Sequence, residues 1–135
     1  MSGVSGTPFP KSAHLLKHAD FQRVYQDGKR HFSGNLTTFY LRRHGAGEAS
    51  RVRVGFTVGK VLGGAVERNR IRRRTREAVR YHLNDLNGIS DSVDIILHPK
   101  KSVLGLGFSV LSEEVAKAFQ VVKKNVERQG KAQAE

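Results

Sequence analysis

The segment from Arg68 to Arg80 constrains the fold most, because it holds seven arginines and a single acid, Glu77. Apolar and small residues recur through and beyond it at helical spacing, which predicts one long helix over residues 65–86. The predicted packing stripe of this helix consists of Ile71, Thr75, Ala78, Val79, His82, Leu83 and Leu86. The side chains that fall roughly opposite the stripe are Asn69, Arg72, Arg73, Arg76 and Arg80. Such a helix has to lie on the surface of a domain, with one face packed and the other in solvent.

The charge of this helix is unfavourable unless the helix has an anionic partner. Like charges at i, i+3 and i+4 destabilise an isolated helix by about 0.2–0.5 kcal/mol per pair, and Glu77 alone cannot neutralise seven arginines. A planar guanidinium binds phosphate oxygens bidentately and stacks on bases. Asn69 can add a hydrogen bond to a base, a ribose or a phosphate. The pattern therefore favours a nucleic-acid-binding face over a solvated face with internal salt bridges.

The composition of the whole chain points to the same class of partner. The 135 residues include 24 Lys and Arg against 12 Asp and Glu, a formal net charge of +12. Affinity for nucleic acid grows with the number of phosphates neutralised, so a polyanionic partner is expected. An anionic membrane surface is the main alternative, although the arginines have few large apolar neighbours. Charge alone does not separate RNA from DNA, because phosphate contacts do not report the sugar.

Length and a hydrophobic content of 38% predict one folded domain, over residues 15–128. A disordered tail is predicted over 1–14 and a polar tail over 129–135. The absence of cysteine excludes disulfides, thiolate zinc sites and cysteine nucleophiles. The sequence shows neither a secretion signal nor an apolar run long enough to cross a membrane. We therefore expect a cytoplasmic protein without a membrane partner.

The remaining segments predict a layered α+β domain. Helices are predicted over 16–27, where Phe21, Val24 and Tyr25 share one face, and over 109–128. Strands are predicted over 29–32, 36–43, 51–58 and 93–97, with a hairpin loop over 44–50 between the second and third strands. The order α-β-β-β-α-β-α makes the arginine helix a crossover between the third and fourth strands.

One face of the predicted sheet carries polar side chains and is expected to be open. In the strand over 51–58, Val52, Val54 and Val58 point to one side, and Arg53 and Thr57 point to the other. The first side is expected to be buried and the second polar and partly exposed.

Three aromatic residues allow two interpretations. Phe21 and Tyr25 share a helix face, and Phe39 lies on a predicted strand. Taken alone, the residue types favour an ordinary core. An exposed aromatic cleft is the other interpretation, since bases of any identity stack on aromatic rings at about 1–3 kcal/mol each.

The sequence offers no set of residues for catalysis by the protein itself. His14 and His18 have the i, i+4 spacing of a helical metal pair but lack a third ligand, which favours a solvated pair. No combination of nucleophile, base and orienting group, and no pair of carboxylates, can be picked out. We expect neither catalytic residues nor a metal site in this chain.

Several of these segments, taken together and in order, resemble the bacterial ribonuclease P protein subunit family. The resemblance rests on residues 53–58 (RVGFTV) and 63–73 (GGAVERNRIRR), which include the family's Arg-Asn-Arg motif at Arg68, Asn69 and Arg70. Residues 20–25 (DFQRVY), 28–30 (GKR) and 93–97 (VDIIL) are also similar, so that the likeness covers residues 15–128. It implies a two-layer sandwich like the second domain of ribosomal protein S5, with a left-handed crossover between parallel strands.

The resemblance also implies a function. Members of this family join a catalytic RNA that removes the 5′ leader from precursor tRNA, one protein per RNA, with Mg²⁺ held mainly by the RNA. Contacts to the catalytic RNA carry over to Lys60, Arg68, Asn69, Arg70, Arg72, Arg73 and Arg76. Contacts to the leader of precursor tRNA carry over to Phe21, Tyr25, Phe39, Arg53 and Thr57. The alternative is a structural RNA-binding protein without enzymatic partnership, such as a ribosomal protein or an RNA chaperone.

Overall fold

A computed structural model of the protein describes residues 9, 11–43, 52–89 and 91–134. The helices are α1 (His18–Asp27), α2 (Ala65–His82) and α3 (Phe108–Ala134). The strands are β1 (Lys29–Phe32), β2 (Leu36–Arg43), β3 (Val52–Phe56) and β4 (Ser92–Pro99). This order confirms the α+β class and the predicted sequence of elements. Beyond α2, the end of the predicted long helix is a 3₁₀ turn over Leu83–Leu86.

The four strands form one mixed sheet in the order β1-β2-β4-β3. β2 is antiparallel to both β1 and β4, whereas β3 and β4 are parallel and are joined through α2. The predicted hairpin between β2 and β3 is wrong, because β4 lies between them; its loop, 44–50, lies outside the described residues. β4 takes this central position because its residues from Val93 to Leu97 are all fully buried. A strand that is buried in this way needs cover on both faces.

The main core lies between one face of the sheet and the helices α2 and α3. From the predicted stripe of α2, Ile71, Thr75, Ala78 and Val79 are buried. Every residue of the predicted apolar face of α3 is fully buried: Leu111, Val115, Ala118, Phe119, Val122 and Val126. Burial of these faces turns the arginine side of α2 outward, as the sequence predicts.

The opposite face of the sheet is only partly covered, by α1. Val24 of α1 packs with Leu15 and with Ile96 of β4, and partly buried aromatic residues surround this small cluster. The predicted two layers therefore describe the sheet with α2 and α3, and α1 adds a partial third layer. A short helix cannot cover four strands, so this face of the sheet keeps an open cleft.

The two predicted tails contain more regular structure than expected. Lys11–Ala13 forms a 3₁₀ turn and Ala13 is buried, which corrects the predicted disorder for residues 11–14; residues 1–8 and 10 lie outside the described part. At the other end, α3 continues past the predicted limit of 128 to Ala134, since Lys, Ala and Gln are good helix formers. Among the described residues, no helix is long and apolar enough to cross a membrane.

Candidate nucleic-acid interface

Three arginines on the outer side of α2 have no partner within the described part of the protein. Arg70, Arg73 and Arg76 are exposed, and no hydrogen bond or ion pair to a described residue holds their guanidinium groups. They lie opposite the buried residues Ile71 and Val79. α2 therefore presents a row of positive charge to solvent; Arg73 and Arg76 belong to the predicted arc, and Arg70 lies outside it.

The start of α2 is shaped by a glycine and an acid. Gly63 has a φ of 133°, and a Cβ there would collide with the side chain of Glu67. An oxygen of the Glu67 carboxylate instead accepts a hydrogen bond from the backbone N–H of Gly64 at 3.1 Å. A carboxylate in the first turn also interacts favourably with the positive end of the helix dipole. The turn Lys60–Leu62 directly precedes this point, so that exposed Lys60 lies near the N-terminal end of the row.

The other predicted RNA contacts on α2 have local partners. The Arg68 Nε donates to the carbonyl oxygen of Gly63 at 3.2 Å. The Arg72 guanidinium donates to the Asn69 Oδ1 at 2.8 Å, on the exposed side of the helix. Because this bond engages the amide oxygen of Asn69, its amide nitrogen is the group suited to donate to an RNA acceptor.

Two further arginines of α2 serve the fold. Arg74 donates to the carbonyl oxygens of Val103 at 2.7 Å and Leu106 at 2.5 Å, which ties the segment before α3 to α2. Arg80 forms an ion pair with Glu77, and this hydrogen bond lowers the pKa of the Glu77 carboxyl. The seven arginines are therefore not equivalent, and helical periodicity does not distinguish them.

On the other face of the sheet, four of the five predicted leader contacts come together. The Tyr25 ring lies 6.4 Å from the Phe21 ring and 5.1 Å from the Phe39 ring, both edge to face. Its hydroxyl is 2.8 Å from the Thr57 Oγ1. A cavity of about 340 Å³ opens at this place. Its lining residues are Leu16, His18, Phe21, Gln22, Tyr25 and Thr57. We call Phe21, Tyr25, Phe39 and Thr57, with this cavity, the aromatic cleft.

The sequence interpretation missed His98, which contacts two residues of the aromatic cleft. Its Nε2 lies 2.7 Å from the Tyr25 hydroxyl, and its ring centroid lies 4.7 Å from that of Phe39. Burial lowers the pKa of His98, which favours the neutral ring. The predicted strand ended at residue 97. Because side chains alternate between the two faces of a sheet, extending the strand by one residue places His98 on the same face as Ile96.

Arg53 lies on the predicted face of the sheet but is held by internal acids. Its guanidinium donates to both carboxylate oxygens of Asp94 at 2.8 Å and lies 3.4 Å from the Asp20 carboxylate. The hydrogen bond to Asp94 raises the pKa of Arg53. Asp94 is fully buried and also pairs with Arg43 at 2.9 Å. Because its charge is compensated inside the protein, the geometry does not support Arg53 as a leader contact, unlike the other four residues.

The two N-terminal histidines do not form a helical pair. His14 precedes α1, bridges to Val54 of β3 and packs its ring 4.2 Å from that of Phe9. Within the described ranges, no group of three or more His, Asp or Glu side chains is arranged to hold a metal ion.

Comparison with known proteins gives one consistent family. Residues 9–123 match the sequence model of the family described as Ribonuclease P. The ribonuclease P protein component of Desulforapulum autotrophicum is 33% identical over 84% of this chain and 92% of that protein. The component from Citrifermentans bemidjiense is 34% identical over 90% of this chain and 97% of its own length.

Solved structures agree with the fold. The Staphylococcus aureus RNase P protein superimposes with a TM-score of 0.67 at 26% identity, covering 84% of this chain and 97% of that one. The Thermotoga maritima RNase P protein has the same fold, with a TM-score of 0.63 at 22% identity over 82% of this chain and 96% of its own. Since sequence and fold agree over most of its length, the chain belongs to the bacterial ribonuclease P protein family, the protein subunit of a ribonucleoprotein endoribonuclease.

Proposed function

We propose that this protein binds the catalytic RNA of ribonuclease P through α2 and the 5′ leader of precursor tRNA through the aromatic cleft. In this way it assists the Mg²⁺-dependent removal of the leader, which produces the mature 5′ end of the tRNA. We infer one protein per RNA and a cytoplasmic location, where precursor tRNA is processed.

The observation that carries the proposal is the unpaired row Arg70, Arg73 and Arg76. Three exposed guanidinium groups that pair with no acid of the described residues gain favourable interactions when an anionic partner approaches. Their planar groups match phosphate oxygens. Lys60 and Arg68 extend the same positive surface toward the start of the helix, and Arg72 lies between Arg70 and Arg73. A folded RNA with closely spaced phosphates fits this row along its whole length.

The aromatic cleft supports the second half of the proposal. Phe21, Tyr25 and Phe39 are only partly buried where they pack against the small cluster under α1, and Phe21 and Tyr25 line the cavity. Stacking on such rings tolerates any base, as a subunit that meets leaders of many sequences requires. The Tyr25 hydroxyl is already hydrogen-bonded to Thr57 and His98. The ring of Tyr25, rather than its hydroxyl, is therefore the group that would contact a leader base.

The hydrolytic chemistry belongs to the RNA in this scheme. Mg²⁺ held by RNA phosphates would supply the hydroxide nucleophile and the stabilisation of the leaving oxygen. The side chains of this chain bind phosphates, hold the leader and orient it toward that centre.

Reconstitution with the ribonuclease P RNA of the same genome and one precursor tRNA tests the proposal. We expect no cleavage by the protein alone, and faster cleavage at low Mg²⁺ when protein is added to the RNA. The assembled particle should bind precursor tRNA more tightly than mature tRNA. Equal cleavage with and without protein at every Mg²⁺ concentration contradicts the proposal, and a leader that adds no affinity favours the structural RNA-binding alternative.

A matched pair of variants locates the RNA surface. Arg76→Ala should weaken binding of the catalytic RNA, because it removes one guanidinium from the unpaired row. Lys124→Ala removes an exposed cation from α3 and should leave RNA binding unchanged. Equal losses in the two variants would show that only the overall charge of the protein matters.

A further inference from the structure

Two exposed aromatic rings meet where α2 ends and α3 begins, outside both surfaces described above. Tyr81 is 39% exposed and Phe108 is 36% exposed. Their ring centroids are 5.7 Å apart with an interplanar angle of 61°. Neither residue belongs to the main core or to the small cluster under α1. Two aromatic side chains in contact at the surface form an apolar feature to which a partner can bind.

The two rings are held in place by contacts on both sides. Arg74 of α2 binds the carbonyl oxygens of Val103 and Leu106, which fixes the segment leading into Phe108. On the other side, the His82 Nε2 lies 2.7 Å from the Ser112 Oγ, which joins the end of α2 to the first turns of α3. A site that is preformed in this way loses little conformational entropy when a ligand binds.

The charge around the rings is positive and continuous with the arginine row. The Arg80 Cζ lies over one face of the Tyr81 ring, 5.2 Å from its centroid, and Glu77 pairs with this guanidinium. Arg73 and Arg76 of the row are followed by Arg80 at i, i+3 and i+7, and Tyr81 is the next residue, so the rings lie beyond the C-terminal end of the row. From Arg73 to Tyr81 the helix rises about 12 Å at 1.5 Å per residue. An RNA strand whose phosphates follow the row therefore brings its next nucleotide to the rings.

We propose that Tyr81 and Phe108 form a stacking platform for an unpaired nucleobase of the RNA bound by α2. This inference rests on the proposed function and adds a third RNA contact to the surface of α2. Base stacking fits because it combines aromatic rings at the surface with nearby positive charge, and the arginine row supplies that charge. A protein partner with an apolar surface would have to bury the ion pair between Arg80 and Glu77. The cost of desolvating these charges makes such a partner unfavourable.

A tryptophan reporter tests the contact directly, since the chain contains no tryptophan. Tyr81→Trp places the sole indole in the platform, and Val110→Trp places it nearby on α3, where the side chain is 53% exposed. Titration with the ribonuclease P RNA transcript should quench the emission of Tyr81→Trp and leave that of Val110→Trp almost unchanged. Quenching in both variants, or in neither while the RNA binds, overturns the platform but leaves the proposed function intact.

Affinity measurements give a second, independent readout. Tyr81→Ala should weaken RNA binding by about 5- to 150-fold, the loss expected for one stacked base, without changing the salt dependence, because no phosphate contact is removed. Tyr81→Phe should restore the affinity, since it keeps the ring. An unchanged affinity in Tyr81→Ala contradicts the proposal.

Two controls distinguish base stacking from a general failure to bind RNA and from self-association of the protein. If the wild-type protein does not bind the RNA at all, the proposed function fails and the platform fails with it. If the emission of Tyr81→Trp changes with protein concentration in the absence of RNA, the rings mediate self-association, and the nucleobase platform is wrong.

Discussion

At the scale of single residues, Gly55 determines how closely α1 and the chain before it approach the sheet. A Cβ at this position would lie 2.6 Å from the Phe21 Cζ and 2.8 Å from the Leu15 carbonyl oxygen. The same chain segment donates from the Leu15 N–H to the Val54 carbonyl oxygen at 3.0 Å, so it cannot move away without losing that bond. The glycine therefore sets the position of Phe21 in the aromatic cleft.

We predict that Gly55→Ala lowers the free energy of unfolding by about 1–3 kcal/mol, the usual cost of overpacking. Urea unfolding measures this change. Gly59→Ala is the matched control, because its Cβ would have no atom within 4 Å and the φ of −83° suits alanine. A control that loses as much stability as Gly55→Ala would refute the steric origin of the effect.

His98 gives the aromatic cleft a dependence on pH. Burial lowers the pKa of His98 in the folded protein, whereas the unfolded chain binds the proton near the ordinary value of 6.5. Below that value the unfolded state binds more protons than the folded state, so stability must fall as the pH drops. Above it both states are neutral at this residue and the effect vanishes.

The expected result is a free energy of unfolding that decreases from pH 6.5 down to the pKa of His98 in the folded protein. His98→Gln should remove that part of the decrease, and the difference between the two pH profiles isolates this residue from the other histidines. Identical profiles would mean that His98 takes up its proton equally easily in both states. Urea unfolding at several pH values provides the profiles.

At the scale of the elements, α2 combines two kinds of arginine on one helix. Arg76 is exposed and has no partner among the residues that the structure describes, whereas Arg74 binds the carbonyl oxygens before α3. From the 3.6-residue period the sequence predicted an arc whose members Asn69, Arg73 and Arg76 are exposed in the structure, but that arc did not include exposed Arg70. The sequence could not predict the role of Arg74, because the carbonyl groups that it binds lie about thirty residues further along the chain.

This difference predicts opposite effects for two arginine-to-alanine substitutions. Arg74→Ala should cost about 1.5–3 kcal/mol of stability, as expected for hydrogen bonds from a charged group, and leave the salt dependence of RNA binding unchanged. Arg76→Ala should preserve stability and reduce the slope of log affinity against log salt by about 0.7–0.9, one phosphate contact. Urea unfolding and filter binding at several salt concentrations measure the two quantities. If both variants change both quantities alike, the distinction between structural and RNA-binding arginines is wrong.

At the scale of the whole molecule, the sheet separates the two proposed RNA surfaces. Ile95 and Ile96 are neighbours in β4 and point to opposite faces, the first into the core under α2 and the second into the cluster under α1. The arginine row and the aromatic cleft therefore belong to different sides of the protein and share no side chain.

Such separation predicts that the two surfaces can be inactivated independently. Tyr25→Ala should weaken binding of precursor tRNA to the assembled particle by about 5- to 150-fold, the equivalent of one stacked base. It should leave binding of mature tRNA and assembly with the RNA unchanged. Arg76→Ala should weaken assembly and keep the contribution of the leader, and the double variant should show the sum of both effects. Non-additive losses would indicate one shared surface.

The sequence by itself determined the elements and their faces, because hydrophobic periodicity is a local property that each segment carries. It predicted the buried stripe and charged arc of α2, the apolar face of α3 and the shared face of Phe21 and Tyr25. Only the tertiary structure decided which elements are neighbours: β4 enters between β2 and β3, Asp94 and Asp20 hold Arg53, and His98 reaches the Tyr25 hydroxyl. These contacts join residues far apart in the chain, and a side chain's partner across such a distance depends on the packing of the whole sheet.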